Sequence, residues 1–335
     1  MKIKKSILLA AIFLAATVVV FTAPFFGIES ISLQDIIGQR PGNLKADIFW
    51  KIRVPRVLTA FTAGAALAIS GMAFQAMFRN ALATPFTLGV SSGAAFGAAL
   101  YVRLGLVFAV LGTSGQTISS FLGAVIAIAL VYGMTRFKKG FSTEIMLVAG
   151  VAINFFFSSL ILFIQYLSDF ANSFRIIRWL MGGVEIIGYR PVLSLLPFVA
   201  VGSVIILFLT HDLNLLLIGE DMAVSRGVSL KRVKALLFFA TSLMVGGVVS
   251  VCGPIGFVGM MAPHICRLLI GANHRQLTPV TFVFGGAFLV LCDTLARTII
   301  APAEIPVGVI TALLGGPFFL WLLLSGSSEK SSLTF

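Results

Sequence analysis

Asp293 and Arg297 stand four residues apart in an otherwise apolar run. On a helix that spacing puts both side chains on one face, where they can pair. An ionisable residue inside an apolar span is a candidate for function, because burying it is costly. The reading preferred here is a structural pair near the outer end of its helix, each group neutralising the other. Few other polar residues lie inside apolar runs; Gln75, Asn154 and Gln165 stand out. His211 and His274 fall in polar connecting stretches and read as solvated, whereas His264, in MMAPHICR, reads as packed or hydrogen-bonded at a helix end. Cys252, Cys266 and Cys292 are an odd number in apolar runs, which argues for small core side chains rather than disulfides. No His/Cys cluster suggests a metal, and no cofactor motif is present. The chain has no G-x-x-x-x-G-K-[ST] loop, nucleophile elbow or H-E-x-x-H, so it is expected to be neither an ATPase by that motif nor a hydrolase.

What must position these residues follows from composition. Of 335 residues, 59% are hydrophobic and 11% charged, with a mean hydropathy of +1.06. A soluble domain carries about a quarter charged residues. The expected class is therefore an all-α, polytopic membrane protein, a single transmembrane domain over 1–335. The net charge of +12 reports topology and lipid contact rather than nucleic acid, since no basic stretch is interleaved with exposed aromatics.

A spanning helix needs about 20 mostly apolar residues. Ten segments are read as spans: 7–28, 54–78, 86–106, 114–134, 144–167, 192–209, 234–252, 259–270, 279–299 and 306–324. The eighth is short enough for a half-span or re-entrant piece. The basic start MKIKK followed by a long apolar run reads as a first transmembrane helix rather than a signal peptide. With both termini inside, fourteen of the 24 Lys and Arg fall on the cytosolic side and ten outside. RFKKG at 136–140 and SLKRVK at 229–234 are the strongest local signals, and the outer cations call for a reason of their own. Ala60, Gly64, Ala68 and Met72 recur at intervals of four, a pattern that lets helix backbones approach closely. GVSSGAAFGAA at 89–99 reads the same way. FRNALATP at 78–85 and ANHRQLTP at 271–279 read as inner loops, and GPIGFVG at 253–259 and APAEIPVG at 301–308 as outer turns. A faint echo of LAISG (67–71) in VSVCG (249–253) leaves an internal duplication open.

The longest polar interruption that still looks structured is 213–232, LNLLLIGEDMAVSRGVSLKR. Asp212 is expected to cap a short helix over 213–218. Gly219 turns the chain, 220–226 forms a second short helix with acidic residues first and Arg226 last, and Gly227 stops it. Ser229 can cap the following span. With a pore and no engine in the chain, this stretch reads as a docking surface for a separate engine, or else as an ordinary amphipathic cytosolic loop.

From about Arg53 to Leu324 the sequence closely resembles the FecCD family, permease subunits of type II ABC importers that take up ferric siderophores, haem and vitamin B12. The resemblance is carried by RVPRVLTAFTAGAALAISGMAFQAMFRNALATP at 53–85, LGVSSGAAFGA at 88–98, IGEDMAVSRGV at 218–228, GPIGFVGMMAPHICRLLIGANHRQLTP at 253–279, DTLAR at 293–297 and EIPVGVITALLGGPFF at 304–319. It implies ten helices, a bacterial plasma (inner) membrane location, and a homodimer or close heterodimer with a second permease copy. It implies two ATP-binding subunits gripping 213–232; within that stretch Gly219, Glu220, Ala223 and Gly227 are the positions expected to bear the force. It implies an extracytoplasmic substrate-binding protein whose acidic residues meet Arg53, Arg56 and Arg297, which would account for the outer cations. It places an inner gate at Ser142 and Thr143, and Asn154 along the pathway. A ferric siderophore is the first substrate expectation; vitamin B12, haem and molybdenum-type oxyanions stay open. The rival classes are a stand-alone secondary carrier or channel, disfavoured by the scarcity of embedded carboxylates, and a membrane scaffold or sensor.

Overall fold

A computed structural model describes residues 2–29, 31–37, 43–137, 143–184 and 187–325. In chain order the helices are α1 (Lys2–Thr22), α2 (Leu33–Ile37), α3 (Leu44–Ile48), α4 (Val54–Phe78), α5 (Val90–Arg103), α6 (Gly115–Phe137), α7 (Thr143–Leu167), α8 (Phe170–Leu180), α9 (Arg190–Phe208), α10 (Thr210–Ile218), α11 (Glu220–Ser225), α12 (Leu230–Cys252), α13 (Val258–Ile270), α14 (His274–Thr298) and α15 (Val307–Ser325). Among the described residues the only strands, Ala109–Val110 and Thr113–Ser114, form a small hairpin turned at Leu111 and Gly112, both at positive φ. The protein is all-α.

Among the described residues seven helical stretches are long and apolar enough to cross a bilayer, including a continuous one over Leu44–Phe78 that runs through a π-helical turn at Phe49–Arg53 into α4. Each of the ten expected spans corresponds to a helix. The third is shorter than expected, since α5 has 14 residues. The eighth, α13, has 13 residues, about 20 Å at 1.5 Å per residue, too short for a hydrocarbon core of about 30 Å.

The bundle is organised around α4, buried along nearly its whole length. Between lipid-embedded helices the hydrophobic effect gives little drive, so association depends on close packing and small residues. A Cβ placed on Gly64 would lie 2.4 Å from the Gly285 carbonyl oxygen of α14, and one on Gly71 only 1.7 Å from the Gly259 carbonyl oxygen of α13. Further along the same seam the Thr278 hydroxyl of α14 reaches Met72 Sδ at 3.7 Å. The stripe Ala60–Gly64–Ala68–Met72 thus does what its spacing suggests, and α4, α13 and α14 form one block. The run at 89–99 acts likewise: Gly93 lies against Gly123 and Gly97 against Ser119 of α6.

Several boundaries differ from expectation for identifiable reasons. α14 begins at His274, not 279, because Asn273 Oδ1 accepts from the Arg275 N–H and caps it; Pro279 is accommodated near the helix start. Asp212 lies inside the first turn of α10 rather than capping it. Ser229 is the N-cap residue of α12 but makes no side-chain capping bond. Residues 258–259 belong to α13 and not to a turn. α8, capped by Asp169 Oδ1 on the Asn172 N–H, lies outside all ten expected spans. Cys252, Cys266 and Cys292 are free and buried. In the connection before α2, the Ser32 N–H and hydroxyl both donate to Asp35 Oδ2 at 2.9 Å, a capping box that holds the Asp35 carboxyl below the usual range.

Gly71→Ala is expected to force α13 off α4 and to destabilise the detergent-purified protein by about 1–3 kcal/mol. Gly133→Ala, where a Cβ meets nothing within 4 Å, is the neutral control. Thermal melts of the two variants check this; equal midpoints would contradict the close-packed seam.

Candidate functional site

Two constellations lie at opposite ends of α14. At its C-terminal end is a buried charge network. Arg56, in the first turn of α4, grips Asp293 with Nε 3.0 Å from each carboxylate oxygen and Nη2 2.9 Å from Oδ1. Its remaining Nη1 donates to Glu304 Oε2 at 2.8 Å, from the connection before α15. Arg297 Nε stands farther off, 3.9 Å from Asp293 Oδ2, and its Nη2 donates to the Ala23 carbonyl at 2.7 Å. The i,i+4 pair read from the sequence is therefore the weaker half of a larger cluster. The principal partner of Asp293 comes from another helix, held there by the small-residue seam of α4. Bidentate geometry and several donors are what a carboxylate at 1% exposure requires.

Arg53 closes the adjoining segment. Its guanidinium donates to the carbonyls of Pro24 (3.2 Å), Phe25 (3.1 Å) and Glu29. With the Arg297–Ala23 bond, it fastens the end of α1 to the bundle. Arg53, Arg56 and Arg297 are 6%, 7% and 3% exposed. All three therefore meet inside the protein, on internal acceptors, and none presents an open cationic tip to solvent. Exposed cations in this part of the molecule include Lys51, Arg103, Arg175, Arg178 and Arg190. An open cavity of about 860 Å³ lies beside the network, lined by Arg56, Glu304, Ile177, Arg178 and Pro306.

At the N-terminal end of α14 stand α10 and α11, the two-helix element expected at 213–232. Gly219 sits between them at φ 144°, ψ 152°, a conformation open essentially to glycine alone. Gly227, at φ 86°, ends the second helix. Ala223 is fully buried, and its carbonyl and N–H both bond within the turn. Glu220 accepts from Lys234 Nζ at 2.8 Å, which ties α11 to the first turn of α12; the lysine is 3% exposed. The outward surface is apolar in part: Ile218, Met222 and Val224 are 65%, 46% and 54% exposed.

His274 is a correction. It is 1% exposed and fixed to Asn214 of α10, not solvated in a loop. Asn273, as an N-cap signal ahead of an apolar run, was the available clue. His264 is buried, edge-on to Phe318. Gln75 accepts from Arg267 and donates to the carbonyls of Gly259 and Met260, so it belongs to the α4–α13 seam. Of the proposed gate, Ser142 lies outside the described residues. Thr143 opens α7, and both it and Asn154 are half-buried. Around Asn154, α7 exposes Val151, Phe155, Phe156, Leu162 and Phe163, a face continued by Phe170 and Phe174 of α8. Among the described residues no group of His, Cys, Asp and Glu could hold a metal.

A polytopic bundle of long apolar helices with a polar helical element at one end is the architecture of an integral membrane protein. Comparison specifies the kind. The profile of the FecCD transport family matches residues 7–325, and the chain belongs to that family. It is 32% identical to the hemin transport system permease protein HmuU of Yersinia pestis, over 98% of this chain and 99% of that one. It is 42% identical to the cobalamin import system permease protein BtuC of Halobacterium salinarum, over 81% and 72%. A solved structure described as an inward-facing ABC transporter of metal-chelate type superposes with a TM-score of 0.85 at 33% identity, covering 95% of this chain and 98% of the other. The protein is accordingly the permease of an ABC transporter, embedded in a membrane.

Arg56→Ala would strand Asp293 in the interior and is expected to cost about 3–5 kcal/mol of stability. Adding Asp293→Asn should recover part of the loss. Denaturation of the purified variants decides it; a loss below about 1 kcal/mol would mean the network carries little.

Proposed function

We propose that the chain is the membrane-spanning subunit of an importer for a metal chelate, a ferric siderophore in the first instance, worked by ATP-binding subunits seated on α10 and α11. The observation that carries this reading is the exposed apolar tip of that element. Ile218, Met222 and Val224 project from a short helical pair beside charged residues, where a protein partner is the natural cover. Gly219, Glu220, Ala223 and Gly227 shape the pair rather than touch the partner: two set the turns, one packs inward and one locks to Lys234. That end faces the cytosol, with both termini, in a bacterial plasma membrane. The names of the relatives, hemin and cobalamin permeases, support the chelate class, and vitamin B12 or haem is the alternative cargo.

The apolar face of α7 and α8 is covered by a second permease copy, most simply an identical one, and Thr143, Asn154 and the neighbouring Ser142 then border the path between them. At the opposite end a substrate-binding protein delivers the chelate. Arg56 takes part by exchange. Glu304 is its one partly exposed partner, with a side chain 30% accessible, so an incoming acidic residue can take the place of Glu304 on Nη1. Arg53 and Arg297 hold the docking surface in shape through their carbonyl contacts. ATP binding moves α10 and α11, and the bundle alternates between outward- and inward-open states.

Ile218→Asp is expected to abolish co-purification of the ATP-binding subunits while leaving the permease folded; an intact complex would sink the seating. In the same reconstituted system Glu304→Gln should tighten binding-protein affinity by about threefold, as a competitor for Arg56 is weakened. Weaker binding would contradict the exchange.

A further inference from the structure

The element formed by α10 and α11 is fastened to the bundle at two polar points. One is the Glu220–Lys234 bridge to α12. The other joins α10 to α14 through Asn214. The N–H of His274, the first residue of α14, donates to Asn214 Oδ1 at 2.8 Å, and His274 Nδ1 lies 3.0 Å from the same oxygen. Asn214 Nδ2 donates to Asn273 Oδ1 at 3.2 Å, and that oxygen also accepts from the Arg275 N–H at 3.1 Å. The bond to Asn273 fixes which way the Asn214 amide faces. Its oxygen therefore points at His274, and His274 Nδ1 carries the proton. The first N–H groups of a helix have no partners within it. At α14 one is capped by Asn273 and another by a side chain from a separate helix.

Packing alone does not fix this joint. Leu213 and Leu216 of α10 and Leu277 of α14 are buried and hold the helices together, but apolar contacts tolerate sliding. The hydrogen bonds of Asn214 have direction and set one register. Beyond the joint, α14 runs unbroken for 25 residues and is keyed to α4 at Gly64 and Met72. Asp293 lies 19 residues on, about 29 Å away at 1.5 Å per residue. A push on α10 therefore reaches the Arg56–Asp293–Glu304 network through one stiff helix.

We infer that Asn214 is a positioning residue for transport: it couples α10 to α14 and so passes motion from the ATP-binding subunits to the far face of the permease. This rests on the seating of those subunits on α10 and α11.

The test uses the full complex of permease and ATP-binding subunits in lipid nanodiscs, with a fluorophore on Thr298→Cys. Thr298 is exposed at the far end of α14, whereas Cys252, Cys266 and Cys292 are buried. Trapping with ATP and vanadate should change the fluorescence of the otherwise wild-type complex. Asn214→Ala is expected to keep the ATP-binding subunits bound and trapped, yet to shrink that change by about fivefold or more. The double variant Asn214→Ala/His274→Ala should be no worse than the worse single one, because the two share one link. A full signal in Asn214→Ala or additive losses in the double variant would each overturn the inference. Loss of the ATP-binding subunits themselves would point instead to the seating, which Ile218→Asp probes separately.

Discussion

Close backbone contact along α4 is the constraint on which the rest of the molecule depends. In lipid, apolar side chains gain little by leaving the bilayer for one another, so helices must mesh closely to stay together. Gly64 and Gly71 have no room for even a methyl group against the carbonyls of Gly285 and Gly259. That contact lets Arg56 reach Asp293 across the helix pair with three donor–acceptor distances of 2.9–3.0 Å. Were the seam a side chain wider, the carboxylate would stand in a low-dielectric interior without its partner.

The same block links the two ends of the permease. At one end α14 receives Asn214 from α10; at the other it presents Asp293 to Arg56, and through Arg56 to Glu304. Arg53 and Arg297 extend the network by clasping carbonyls at the end of α1. Charge at this end is thus spent first on holding shape. Within this buried network the Arg56–Glu304 contact lies nearest the surface, the Glu304 side chain being 30% accessible. The division of labour is physically sensible, since deeply buried pairs are poor places for reversible binding and partly exposed ones are cheap to replace.

Much of this was legible in the sequence. The four-residue spacing of Ala60, Gly64, Ala68 and Met72 marked the α4 face that packs on α14, and Gly219 and Gly227 marked the breaks of the two-helix element. What escaped had definable causes. Asp293 was paired with Arg297 because only spacing within a helix shows in a sequence; its stronger partner is 237 positions away. Arg53, Arg56 and Arg297 looked like surface cations because nothing local reveals that carbonyls and carboxylates elsewhere enclose them. α8 falls outside every span read from the sequence because its 11 residues are too few to cross a bilayer and include Asn172, Arg175 and Arg178, although Asp169 signals its start. Pro279 read as the end of a loop, which hid the helical start at His274 and with it the joint to Asn214.

Dependence on ATP hydrolysis in separate subunits is what most sharply separates an ABC permease from a stand-alone carrier. It is tested most directly in vesicles containing the permease with and without ATP-binding subunits. They would be offered a radiolabelled ferric hydroxamate, haem or cobalamin, each with a matching binding protein. Accumulation that requires internal ATP, the ATP-binding subunits and the binding protein together is the predicted result. Accumulation by the permease alone, driven by a proton or sodium gradient, would contradict it.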